Sequence, residues 1–381
     1  MKINTIAKNQ HYIPESLLSN FTTPDGKLFE ALLESKNIYL TNPSNSMSKK
    51  FAYEDDSLEV NTIENYFGRI ESEVVPAIKR LVDLINNYKL GSVSIKVIKA
   101  EVENLLPIFI VFYYRSGALL TEFSSMDEKH TIPALSRKIL DHEYINRLAH
   151  TVKDFYKFAI VESSSDFLLS DQFVSTTALK IKSRFFDVSN RHIGLVETMI
   201  LIPISSSYYI SYWHSTDLFP LKEGTINTLD EQQILSFNET IINNSYTKCV
   251  AAKKERIEQA ISTYKFSSPT QIFTGGNPSG FFAGAIKKKE VFFFEEDKQV
   301  HELLEFMRFT IYEGLKVNDK CACNSGKKYK RCHKNAYDKL KIIMQGFGRT
   351  GREKDEGYQI PGVTTVERPV DNWSGYSDEK I

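Results

Sequence analysis

The sequence predicts an α+β fold: a mainly helical large domain with a β-rich middle, followed by a small C-terminal zinc knuckle. Three observations carry this reading. Apolar residues recur at helical spacing from Ile63 to Ile85. The period shifts to two around Tyr208, Ile210 and Tyr212. Three of the four cysteines then fall inside a thirteen-residue window near the C-terminus. The expected boundaries are a domain over 1–265, a connecting β/helix segment over 266–315 packed on it, a knuckle with basic flanks over 316–345 and a flexible tail over 346–381.

Taken in order, the first segment to about Tyr53 is punctuated by Pro24-Asp25-Gly26 and by Asn42–Ser46, which separate short apolar runs into strands or irregular structure. From Ser57 to Tyr88 the residues Ile63, Tyr66, Phe67, Ile70, Val74, Ile78, Leu81, Val82 and Ile85 define one buried helix face. Pro76 lies inside that pattern and predicts a kink or a break into two helices. Residues 93–123 and 135–161 read as further helices around the apolar stretch Leu105–Tyr114. That stretch is half the ~20 residues a bilayer span needs, so it belongs in a core. Thr198–Ile204 has the continuous apolar character of a buried strand. Thr228-Leu-Asp-Glu231 and Ser236-Phe-Asn-Glu239 both have capping-box form, so a helix is expected to open near one of them and run towards Tyr264. Val291–Phe294 reads as a short aromatic strand and His301–Leu315 as an amphipathic helix.

Composition bounds the function. A chain of 381 residues with 41% apolar side chains has ample material for a core. Four cysteines cannot staple a secreted domain, and no targeting or membrane segment is visible, so a cytoplasmic protein with no membrane contact is expected. With 48 basic and 48 acidic residues the chain is not basic throughout, as many nucleic-acid binders are. The zero is a cancellation, however. Residues 316–354 hold twelve Lys and Arg against three acids (+9), which leaves −5 for residues 1–315 and −4 after Lys354.

The constellation that carries chemistry is Cys321-Ala-Cys323-Asn-Ser-Gly-Lys-Lys-Tyr-Lys-Arg-Cys332-His333. Cys321 and Cys323 offer two thiolates from one strand, the Asn324-Ser325-Gly326 turn reverses the chain, and Cys332-His333 returns a thiolate and an imidazole. Four protein donors leave no open position on zinc, so the expected site is structural rather than catalytic. Cys249 sits in an apolar context and reads as a core thiol. Lys327, Lys328, Lys330 and Arg331, with Tyr329 between them, read as a surface for RNA phosphates or an acidic protein face.

Residues 319–335 resemble the SEC-C zinc motif found at the end of the SecA translocation ATPase and of many otherwise unrelated bacterial proteins. The match runs through Cys321, Cys323, Cys332 and His333 and the central Ser325-Gly326-Lys327-Lys328-Tyr329, with Ala322 where Pro is usual and Asn324 where Gly is usual. The resemblance implies a docking element for chaperones or ribosomes. Residues 8–265 resemble the bacterial domain of unknown function 4238, through His11-Tyr-Ile-Pro14, Tyr113-Tyr-Arg115, Ser170-Asp171-Gln172, Ile202–Ser205 and a helix opening at Asn238. Ser-Asp-Gln-Phe stands here where that family usually has Ser-Asp-Asn-Pro.

His11, Arg115 and Asp171 are the polar members of those pieces and the weak catalytic candidates: a base or metal ligand, a phosphate clamp, and an orienting or cation-binding carboxylate. The competing reading is that His11 and Asp171 pin turns while Arg115 is salt-bridged at a helix end. Gly346-Phe-Gly348-Arg-Thr-Gly351 spells G-x-G-x-x-G without a preceding strand, and Gly275–Gly280 lacks the Gly-Lys-[Ser/Thr] ending of a P-loop, so neither is a nucleotide signature. The leading expectation is a zinc protein whose knuckle docks the main domain onto RNA, ribosome or a protein partner. The alternative is a nuclease-like or nucleotide-processing effector, or toxin, of phage defence. It requires His11, Arg115 and Asp171 to converge in a cleft.

Overall fold

The computed structural model describes residues 9–53, 57–124, 135–164, 166–181, 193–215, 219–265, 270–276, 282–287 and 290–349. The architecture is α+β. The N-terminal part carries β1 (Asn9–His11), a one-turn helix α1 (Glu15–Leu18), β2 (Leu28–Leu32), β3 (Asn37–Thr41) and β4 (Ser48–Lys50). β1 pairs with β4 and β2 with β3, both antiparallel. A helical layer follows: α2 (Thr62–Lys89), α3 (Ile95–Tyr114), α4 (Gly117–Ser124) and α5 (His142–Phe155).

α2 buries Ile63, Phe67, Ile70, Val74, Ala77, Ile78, Leu81 and Ile85, the face its spacing predicts. The break expected at Pro76 does not occur: the helix is continuous. Pro76 stands on the exposed face, where water can replace the N–H it lacks. α3 is buried almost all round from Leu105 to Tyr114 because α2 and α5 flank it while Leu106, Phe109 and Ile110 line one small cavity with Val174 and the strand residues Ile200 and Ile202. No helix among the described residues is long and apolar enough to cross a membrane.

The helix expected over 135–161 is interrupted at Asp141, which caps α5, and stops at Phe155, and Lys157–Glu162 is a strand, β5. Its four consecutive buried residues, Phe158–Val161, sit between two neighbouring strands, an environment that outweighs helical periodicity. The remaining strands are β6 (Leu169–Ser170), β7 (Ser175–Ala178), β8 (Thr198–Pro203), β9 (Tyr208–His214) and β10 (Ile226–Thr228). One sheet has the order β10-β5-β9-β8-β7, antiparallel except for the parallel β10–β5 pair.

α6 (Glu231–Asn244) opens with a capping box, but its partners are Asp230 and Gln233 rather than either predicted pair. Asn238 lies mid-helix rather than at a helix start, its side chain holding Leu168 N–H (3.0 Å) and the Asp166 carbonyl (2.7 Å). α6 also ends twenty residues before Tyr264. β11 (Lys248–Ala251) intervenes, one of the two inner strands of a second sheet ordered β3-β2-β11-β6, before α7 (Lys254–Ile261). β12 (Thr270–Gly276) and β13 (Phe282–Lys287) pair with each other.

The C-terminal unit comprises α8 (Glu295–Leu304), a 3-10 segment Glu305–Tyr312, the knuckle and α9 (Lys334–Arg349). The expected Val291–Phe294 strand is a single bridge, Phe292 to Ala178 at the free edge of β7. The helix expected over 301–315 begins earlier, at Glu295, and tightens to 3-10 after Leu304. α9 runs through Gly346 and Gly348 to Arg349, past the expected start of the tail; the rest of that tail lies outside the described residues.

Gly117 opens α4 against Tyr12, and a Cβ there would lie 2.6 Å from Tyr12 Cε2. Tyr12 is buried in the main core, so its ring has little room to yield. Gly117→Ala is expected to lower unfolding free energy by about 1–3 kcal/mol. Urea denaturation checks this, and a Tyr12→Leu background should recover part of the loss.

Candidate metal centre

The knuckle is a small hairpin. Cys321 N–H donates to Lys327 carbonyl at 2.9 Å and Tyr329 N–H to Asp319 carbonyl at 2.8 Å, flanking an antiparallel bridge between Lys320 and Lys328. Its turn uses two left-handed residues, Asn324 (φ 60°) and Gly326 (φ 74°). Asn is among the few non-glycine residues that visit this region readily, so it can stand where glycine is usual. Tyr329–Arg331 forms a 3-10 turn, and Cys332 N–H donates back to Tyr329 carbonyl at 3.0 Å. His333 immediately precedes α9, its carbonyl accepting Tyr337 N–H at 2.9 Å.

These turns bring Cys321, Cys323, Cys332 and His333 together, with their donor atoms all within 4.8 Å of one another. Cys323 Sγ lies 3.5 Å from Cys332 Sγ, and His333 Nδ1 lies 3.4 Å from Cys321 Sγ and 3.2 Å from Cys332 Sγ. A tetrahedral ion with bonds of roughly 2.0–2.3 Å spaces its donors by roughly 3.4–3.8 Å. The three thiols and one imidazole therefore suit a metal ion in both chemistry and spacing. Burial pushes Cys323 up, but the Ser325 hydroxyl and N–H and the neighbouring thiols outweigh it and bring the thiol down to about 7. Burial also lowers His333, keeping it in the neutral form a metal requires.

Tyr312 is a part of this site that sequence reasoning missed. It packs on the His333 ring at 5.4 Å, on Tyr329 at 6.0 Å and on Tyr337 at 6.2 Å. These residues join Cys321, Val300, Leu303, Ala336, Leu340 and Ile343 in a second apolar cluster that reaches Ala178 and Ile181. Nothing in the local spacing around Tyr312 signals a contact made across twenty-one residues of chain to His333.

The aromatic contact expected from Tyr329 is corrected: the side chain is 3% exposed, inside that cluster, and burial raises its hydroxyl to about 12. It offers no ring to a partner. Lys327, Lys328, Lys330 and Arg331 are exposed, as are Lys316 and Lys320, and none of the six pairs with a carboxylate among the described residues. Nearby Lys334 and Lys339, by contrast, are paired with Asp338 and with Glu296 and Asp297.

The catalytic candidates do not form a reactive trio. Arg115 is 1% exposed, with its guanidinium donating to Glu71 at 2.5 Å and to the His11 carbonyl at 2.5 Å, and lying 4.0 Å from the Phe67 ring centroid. The His11 imidazole points instead to the Ser44 carbonyl, 3.2 Å from Nε2. Asp171 is fully buried and accepts from Tyr246 N–H (3.1 Å), Thr247 N–H (2.8 Å), Thr247 hydroxyl (2.6 Å) and Lys248 N–H (3.1 Å). Burial pushes its carboxyl up despite the four donors. All three residues hold backbone in place, and no cleft brings their side chains to one point.

Comparison with known families follows the same division. A family model described as "Protein of unknown function (DUF4238)" matches residues 9–255, and the model of the SEC-C motif matches residues 318–335. No curated protein and no solved structure matches the chain.

Asp171→Ala would leave three backbone N–H groups without their acceptor, one of them, that of Tyr246, buried. A loss of about 2–4 kcal/mol is expected in urea unfolding. His11→Ala, removing one half-exposed hydrogen bond, should cost no more than about 1 kcal/mol.

Proposed function

Because the chain belongs to the family of proteins of unknown function DUF4238 and carries a SEC-C motif behind that domain, we propose that it is a docking protein: its knuckle holds a structural zinc ion and binds a polyanionic partner surface, most simply RNA, alone or in a ribosome. The observation that carries this reading is the pairing of a closed Cys3His donor set with six exposed cations around it whose side chains have no carboxylate partner among the described residues. Zinc is the ion that three thiolates and an imidazole favour, and four protein donors leave no position for a reacting water. The metal holds the hairpin shut. The chain's own residues do the rest: Asn324 and Gly326 turn the backbone, Tyr312 packs against His333, and the lysines project into solvent. Thiolate sites persist where thiols stay reduced, so this reading places the protein in the cytoplasm.

Each phosphate neutralised releases counterions, with a slope of log K against log salt near −0.7 per contact on single strands. Reversing Lys327, Lys328, Lys330 and Arg331 to Glu should lower affinity for single-stranded RNA more than tenfold near 0.1 M salt and flatten the slope by about 3. Fluorescence anisotropy over a salt series reads both. Binding that is unchanged by the reversal would sink the RNA reading, and capture of an acidic protein insensitive to ribonuclease would replace it.

Elemental analysis of the purified chain should find one zinc per molecule, and none in Cys321→Ser/Cys323→Ser. Stripping the metal with a strong chelator should collapse the backbone NMR signals of residues 317–333. Structural zinc contributes on the order of 10 kcal/mol in small zinc peptides, comparable to a whole domain's stability. Signals that stayed in place would show that the apolar cluster alone holds the hairpin.

A further inference from the structure

Beside the knuckle, the 3-10 segment and α9 leave open a groove of about 410 Å³, lined by Phe309, Glu313, Tyr337, Leu340, Lys341 and Met344. Of its apolar lining, Met344 is 41% exposed. Lys341 Nζ stands 4.6 Å from the Tyr337 ring centroid at its rim. Exposed apolar surface of this kind, rimmed by charge, marks a place that something covers.

We propose that the covering segment is the chain's own C-terminus, Pro369–Glu379, which seats Trp373 and Tyr376 in this groove and lays Asp371, Asp378 and Glu379 over the neighbouring cations. The chemistry is complementary. Residues 355–381 carry six acids against two basic residues, whereas residues 316–354 carry three acids against twelve. The aromatic residues of the segment match a groove walled by Phe309, Tyr337, Leu340 and Met344.

The reach also matches. The groove side chains Tyr337–Met344 lie 5–12 residues back from Arg349 along α9, about 8–18 Å at 1.5 Å per residue. The 24 residues from Arg349 to Trp373 can reach at most about 80 Å, well beyond the distance required. Because the segment is part of the same chain, its docking is intramolecular, an advantage no separate partner has. The consequence rests on the docking function proposed above: a tail bound there competes with an anionic partner for the knuckle.

The test needs no partner, so its outcome is separate from that of the docking reading. The chain has two tryptophans, and Trp213 is 1% exposed, so acrylamide quenching of the full-length protein reports Trp373. The Stern–Volmer constant for Trp373 should be at least about threefold below that of a free peptide of residues 366–381. Met344→Glu with Lys341→Glu, both at exposed positions, should raise it to the peptide's value while circular dichroism stays unchanged. Quenching equal to the peptide's in the unmodified chain overturns the proposal. Protection that survives the groove substitutions overturns it as well. Protection that grows with protein concentration assigns the groove to a second copy instead, and equally overturns it.

Discussion

A single buried carboxylate, that of Asp171, holds the layers of this fold to one another. It sits in the turn that leaves β6 in one sheet and enters β7 in the other. Its two oxygens gather three consecutive backbone N–H groups, from Tyr246 to Lys248, at the entry to β11. Its own carbonyl accepts Gly117 N–H at 3.0 Å, at the start of α4. The flanking residues extend the junction: Ser170 meets Ser245 through their hydroxyls at 2.8 Å, and Gln172 Nε2 reaches the Tyr113 carbonyl at 3.1 Å. A buried charge is costly unless saturated with donors, and here saturation is what selects the arrangement. Both sheets and the helical layer must be in register for the carboxylate to find its partners.

The C-terminal unit is fastened to that body by an edge. β7 is the last strand of the larger sheet, and an unpaired edge invites pairing with another chain. Residues 291–293 occupy it: Ala178 N–H donates to Val291 carbonyl at 2.8 Å, and Phe293 N–H donates to Ala178 carbonyl at 3.1 Å. Asp297 on α8 then accepts Ile181 N–H at 3.1 Å and pairs with Lys339 on α9 at 2.9 Å. Cys321 and Tyr329 share one apolar cluster with Ala178 and Ile181. The Cys3His cluster is thus seated on the domain rather than hung from a linker.

How far the sequence was legible follows from the range of the interactions involved. The face of α2 could be read because eight buried residues repeat along one helix. The Cys3His set could be read because its donors lie within thirteen residues and the turn between them is local. What failed depended on distant partners. Lys157–Glu162 and Lys248–Ala251 were absorbed into expected helices because their strand character comes from neighbouring strands, β9 and β10 for one and β2 and β6 for the other. Tyr329 looked like a surface aromatic among lysines, and only Tyr312 and Tyr337 bury it. Arg115 and Asp171 carried residue types suited to chemistry, yet each is spent on backbone atoms far along the chain.

The same distinction separates the cations of the knuckle from the Cys3His cluster. Lysines beside thiolates often serve to lower thiol pKa values, and had they done so here the basic run would belong to the metal site. The causes acting on Cys323 are burial, the Ser325 hydroxyl and N–H, and the other thiols, with no lysine among the leading ones. The lysines point outward, without carboxylate partners among the described residues. A divalent ion with three thiolates would carry about −1, far short of the six exposed cations Lys316, Lys320, Lys327, Lys328, Lys330 and Arg331. The positive charge of these six side chains therefore exceeds what the cluster with a bound ion could neutralise, and it is turned to solvent.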